Sequence, residues 1–148
     1  MLRKLVDALD GGVQKHYEHK GSSFRPRFYP VAQLLLAHGT LSIRELADFT
    51  GVSHSALSQT IKEMKASGLV TSKPGDDARE RVIEFTDLGR ATCKTLQPVW
   101  AAVRQAAAEL DEELHHPLGQ TIEGALQRLA QRDFATRIAT FLEEEEES

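Results

Sequence analysis

Apolar positions along this chain recur mostly at intervals of three and four, with one short stretch where they alternate instead. Leu2, Leu5, Val6, Leu9 and Val13 mark a first amphipathic helix, in which Gly11-Gly12 is a soft spot. Lys20-Gly21-Ser22-Ser23 reads as a loop. In FRPRFYPVAQLLLAHG, Pro30 fits the first turn of a helix carrying Val31, Leu34, Leu35 and Ala37, and Gly39 ends it. Phe24, Phe28 and Tyr29 enter that helix as an aromatic cluster.

The stretch SIRELADFTGVSHSALSQTIKEMKASG, Ser42 to Gly68, predicts two helices joined by a tight turn. Ser42 and Glu45 form an S-x-x-E capping box, in which each side chain bonds the other residue's backbone N–H. Ile43, Leu46 and Ala47 give this helix its inward face. Gly51 suits the turn because it takes a left-handed backbone without steric cost. Ser53 caps the second helix. With Leu57 set at the core, Ile61 and Met64 fall within about 40° of it at the helical step. Ser55, Gln59 and Lys62 then point outward. Such a face suits DNA, since Gln can pair bidentately with adenine, Ser can donate or accept, and Lys can take guanine or phosphate. Two short helices around a glycine turn also occur in many proteins that never touch nucleic acid.

After Gly68 the pattern changes. Leu69-Val70-Thr71 begins a strand, Lys73 to Arg79 reads as a loop, and Arg81-Val82-Ile83-Glu84-Phe85 returns as a strand, with Val82 and Glu84 on one face and Ile83 and Phe85 on the other. A hairpin directly after a helix-turn-helix is the wing of a winged helix. Lys73, Arg79 and Arg81 can there reach phosphates or a minor groove. Thr86 caps a long helix with a seam of Leu96, Val99, Val103, Ala106, Leu110 and Leu114. Pro98 is expected to bend it and Pro117 to end it. A last helical segment carries Ile122, Leu126, Leu129, Phe134, Ile138 and Phe141, and the EEEEES tail reads as solvated coil.

Composition narrows the functional classes. The chain has 148 residues, 41% of them hydrophobic, which fits one globular domain with a sizeable core. It has neither an apolar run long enough for a membrane span nor a signal-peptide pattern, so a cytoplasmic, nucleoid-associated location is expected. The net charge of −4 is unevenly spread. Lys20 to Lys94 carries eleven Lys/Arg against eight Asp/Glu, whereas Thr95 to Ser148 carries four against eleven. The positive excess therefore coincides with the expected DNA surface.

Chemistry beyond binding finds little support. Cys93 is the single cysteine, which excludes an intrachain disulfide and a thiolate-rich zinc site. His16, His19, His115 and His116 are scattered, and no metal or other cofactor is expected. Ser53, Ser55 and Ser58 lack a placed base and acid, and Glu112-Glu113 lie on an acidic helix, so no enzyme is expected. Cys93 as a peroxide sensor would need an exposed, activated thiolate.

The expected architecture is mainly α with a small β-hairpin wing. Residues 24–89 form the winged helix-turn-helix, 1–20 and 90–142 a helical dimerisation region, and 143–148 an acidic tail of one domain spanning 1–148. The roughly 80 residues of flanking amphipathic helix need a partner for their apolar stripes, and a homodimer is the economical one. A two-fold dimer would set two recognition helices about 34 Å apart, one turn of B-DNA.

In these residues the chain resembles the MarR-type winged-helix transcriptional regulators. The resemblance rests on E-L-A at 45–47, G-V-S at 51–53, L-S-Q-T-I-K-E-M at 57–64, G-L-V at 68–70, D-x-R at 77–79 and F-T-D-L-G at 85–89. Ala78 stands where many members carry a first wing arginine, and Phe85 replaces the usual leucine. The resemblance implies a dimer held by its terminal helices on a pseudo-palindromic promoter site. It also implies a repressor released by a small-molecule effector, often an aromatic acid, bound between the dimerisation helices and the DNA-binding lobe. Ser53, His54, Ser55, Ser58, Gln59 and Lys62 are the expected recognition-helix contacts with double-stranded DNA, and Lys73, Arg79 and Arg81 those of the wing. Phe24, Phe28, Tyr29 and Trp100 are the candidate pocket. Two alternatives stand beside this reading. The FRPRFYPV stretch with G-V-S-H-S-A-L-S-Q also resembles a branch whose regulatory domain precedes an acetyltransferase domain, for which this chain has no room. A DNA-independent dimeric adaptor would use the same fold to grip protein.

Overall fold

The computed structural model describes residues 1–75 and 81–146, the side chains of 143–146 excepted. The chain divides into two compact units, Met1–Ala101 and Ala102–Ser148.

The first unit is a three-stranded antiparallel sheet with helices packed on it. Helix α1, Leu2–His19, runs unbroken through Gly11-Gly12. A short 3-10 turn at Pro26–Phe28 leads into α2, Tyr29–His38, with Pro30 in its first turn. Strand β1 is only Leu41–Ser42. Helices α3, Ile43–Thr50, and α4, His54–Ala66, follow, then β2, Val70–Pro74, and β3, Arg81–Phe85. The strand order is β1-β3-β2, with Leu41 opposite Ile83 and Val70 opposite Phe85. The alternating pattern predicts only the two hairpin strands, because a two-residue strand carries no periodicity. Lys73 and Pro74, expected in the loop, belong to β2. Proline is tolerated there because it ends the strand, opposite Arg81.

Local signals set the helix-turn-helix. The Ser42–Glu45 capping box is complete, with Glu45 N–H donating to Ser42 Oγ at 3.2 Å and Ser42 N–H to Glu45 Oε2 at 2.8 Å. Gly51 has φ 66°, which caps α3 in the left-handed region. Ser53 Oγ then accepts from Ala56 N–H at 3.3 Å and starts α4. Leu57, Ile61 and Met64 are buried with Leu46, and each such side chain contributes about 1.5–3 kcal/mol when fully buried.

Close backbone packing joins the hairpin to the next helix, α5, Asp87–Glu113. Thr86 Oγ1 donates to the carbonyl of Gly68 at 2.6 Å and accepts from Gly89 N–H at 3.0 Å, so it caps α5 as expected. A Cβ on Gly89 would overlap the carbonyl oxygen of Leu69. Only glycine admits this approach.

In the second unit the single last helical segment is two helices. Helix α6, Leu118–Gln131, ends at Arg132, and α7, Phe134–Glu146, begins after Asp133, whose carboxylate accepts from Thr136 N–H at 2.8 Å. Those bonds hold the Asp133 carboxyl below its usual pKa. Pro117 starts α6 and does not end α5, which stops at Glu113 and leaves Leu114 outside it. The backbone of α7 continues into the acidic run that composition alone assigned to coil.

Candidate nucleic-acid interface

Helix α4 has two clearly separated faces. Leu57, Ile61 and Met64 point into the core, while His54, Ser55, Gln59 and Lys62 are exposed and Ser58 is half-buried. The structure therefore brings all six expected recognition-helix residues to the start and the outer side of one helix. Ser53 is occupied with the N-terminal cap. His54 and Ser58, one turn apart, approach at 3.5 Å through Nδ1 and Oγ. Gln59 Nε2 donates to Glu63 Oε1 at 3.0 Å, and Glu63 is also ion-paired with Arg27 from the 3-10 turn. No sequence signal pairs the two, because Arg27 lies 36 residues away on a different element.

The wing cations are braced against their own hairpin. Lys73 Nζ donates to Glu84 Oε2 at 2.6 Å, and Arg81 donates through Nη2 to the Ser72 carbonyl at 2.9 Å and to its Oγ at 3.1 Å. Both remain exposed, and a guanidinium has further N–H groups for a phosphate. Arg79 lies outside the described residues.

The pocket candidates come together as a packed cluster. Phe24 meets Phe28 edge-on at 5.6 Å between ring centroids and Trp100 at 5.7 Å, and Tyr29 meets Trp100 at 5.2 Å. Tyr17, not among the candidates, completes it by packing on Phe24 at 5.3 Å and accepting from Trp100 Nε1 at 3.0 Å. Phe24, Phe28 and Trp100 are buried and Tyr29 is half-buried. A separate polar hollow of about 570 Å³ lies in the same unit, lined among others by Asp10, Gln14, Glu18, Arg25 and Arg27. Cys93 is buried, and burial pushes its thiol up to about 11, opposite to what an activated thiolate requires. Among the described residues, no three of His, Cys, Asp and Glu converge as metal ligands, and no helix is long and apolar enough to cross a membrane.

Comparison with known proteins agrees with the resemblance seen in the sequence. The model of the MarR family matches residues 29–80, from the start of α2 to the residue before β3. No curated protein matches the sequence significantly. Among solved structures, a cysteine-to-serine variant of MarR from E. coli complexed with operator DNA is 19% identical, with a TM-score of 0.65 over 86% of this chain and 89% of that one. The M. tuberculosis transcriptional regulator MosR in complex with DNA is 24% identical, with a TM-score of 0.65 over 88% and 90%. The probable transcriptional regulator from Pseudomonas aeruginosa is 19% identical, with a TM-score of 0.59 over 87% and 96%. The chain thus matches the MarR family model over residues 29–80 and has, over most of its length, the fold of the solved MarR-type regulators.

Proposed function

We propose that the protein is a homodimeric, sequence-specific binder of double-stranded DNA that regulates transcription and is not an enzyme. The observation that carries this reading is the division of α4, with Leu57, Ile61 and Met64 buried on one side and Ser55, Gln59 and Lys62 exposed on the other. Two of the similar structures named above contain DNA, which supports the same reading. In it Ser55, Gln59 and Lys62 read base edges, and Ser53, His54 and Ser58 contact backbone or bases at the helix start. Lys73, Arg79 and Arg81 hold the wing to phosphates.

A second copy of the chain would cover the apolar helical faces left open in each unit, Leu2, Val6 and Leu9 in the first and Leu126, Phe134 and Phe141 in the second. Two-fold symmetry would then present two copies of α4 to successive major grooves of a pseudo-palindrome. Regulation is read as repression relieved by a small effector. A carboxylate on that effector would meet Arg25 and Arg27 in the polar hollow.

The test is selection from a random duplex library by the purified chain, with the bound species sized. The expected result is an inverted repeat whose half-sites lie one helical turn apart, bound by two chains. No enriched motif at low salt would overturn the reading.

A further inference from the structure

A carboxylate on a helix meant to lie among phosphates is electrostatically out of place unless something neutralises it. Glu63 is such a group, about 40° around α4 from Gln59. Its two oxygens serve different partners. Oε1 accepts from Gln59 Nε2 at 3.0 Å, and Oε2 is ion-paired with Arg27 Nη2. Arg27 comes from the 3-10 turn packed against α4, where its guanidinium carbon lies 5.9 Å from the centroid of the buried Phe28 ring. Glu63 is 26% exposed and Arg27 49%, so the pair contributes little to folding and acts mainly on the local field.

Hydrogen-bond polarity gives this arrangement its consequence. A glutamine amide can turn over and present its donor and acceptor in either order. An ionised carboxylate only accepts, so it engages the NH₂ side of Gln59 and fixes that order. Gln59 is left with Oε1 and one free N–H, the pair that adenine N6 and N7 require.

We propose that Glu63 is a positioning residue that sets the orientation of the Gln59 amide, with Arg27 as the counter-charge that offsets its repulsion from phosphates. This rests on the reading of α4 as a DNA-contacting helix.

The experiment repeats the random-duplex selection with the full chain and its Gln59→Ala, Glu63→Gln, Glu63→Met and Arg27→Ala variants, each checked for a native thermal transition. Gln59→Ala identifies the base pair that Gln59 reads. At that pair, Glu63→Gln and Glu63→Met are expected to lower discrimination roughly tenfold without loss of total affinity. Their combination with Gln59→Ala is expected to lower it no further. Arg27→Ala keeps the preferred base and weakens binding to all duplexes alike, most at low salt. A Glu63 variant with wild-type discrimination would overturn the inference while leaving DNA reading intact. A wild-type chain that enriches no motif would overturn both.

Discussion

Trp100 donates its indole N–H to the phenol oxygen of Tyr17 at 3.0 Å, joining α5 to α1 across 83 residues of sequence. Both side chains are buried, at 3% and 1% exposure, and both pack on Phe24, so the polar atoms of two large aromatics satisfy each other inside an apolar cluster. Burial also raises the pKa of the Tyr17 phenol, which keeps it neutral. Removing the phenol oxygen in Tyr17→Phe leaves the Trp100 N–H buried without a partner, at a cost of about 1–3 kcal/mol. Urea unfolding followed by tryptophan fluorescence measures it, and an unchanged midpoint would show that the bond contributes nothing.

Gly89 and Gly12 should respond oppositely to alanine. At Gly89 a Cβ overlaps the Leu69 carbonyl and comes within 2.9 Å of Phe85 Cδ1, so Gly89→Ala is expected to cost about 2–3 kcal/mol. At Gly12 nothing lies within 4 Å of the added Cβ, and Gly12→Ala is expected to stabilise α1 by about 0.5–1 kcal/mol. Calorimetric melting of both variants checks the pair of signs.

Ser42→Ala removes one half of the capping box and is expected to cost about 1 kcal/mol. The backbone N–H and hydroxyl of Ser42 hold the Glu45 carboxyl below its usual pKa. A depressed folded pKa means stability that is present above the unfolded value and lost as pH falls through the folded one. Acid titrations of stability should therefore be shallower for Ser42→Ala than for the wild type.

Cys93 is expected to be inert in the folded chain. Its thiol is raised from 9.0 to about 11, so the unfolded chain releases this proton first and stability falls as pH rises from about 9 toward 11. Cys93→Ala should flatten that fall. At neutral pH a thiol reagent should label native protein at least about a hundredfold more slowly than unfolded protein, because the reactive thiolate is scarce and buried. Equal rates would contradict the burial.

Arg81 separates bracing from charge. Arg81→Ala should weaken binding to specific and random DNA alike and reduce the slope of log affinity against log salt by about 0.9, the loss of one phosphate contact. Arg81→Lys keeps the charge but not the fork that holds Ser72, so the slope should return with a lower affinity. A wild-type slope in Arg81→Ala would remove Arg81 from the interface.

The helix-turn-helix was legible because each of its signals is local. The capping box spans four residues, Gly51 answers for its own backbone angle, and the α4 faces follow from a period that neighbouring residues carry by themselves. The fold type and the outward set of Ser55, Gln59 and Lys62 follow from the same local rules. Strand β1 exists only because β3 offers Leu41 and Ser42 a pairing edge, and two residues cannot announce that. The break at Arg132-Asp133 shows in the sequence only as a five-residue step from Leu129 to Phe134 between stretches spaced by three and four, and the Asp133 cap marks it in the backbone. Tertiary structure alone decided which side chains meet across distance. Phe24, Phe28, Tyr29 and Trp100 close on Tyr17, and Arg27 reaches Glu63 beside Gln59. Sequence periodicity says which way a side chain faces, whereas the neighbour it finds depends on how separate elements pack.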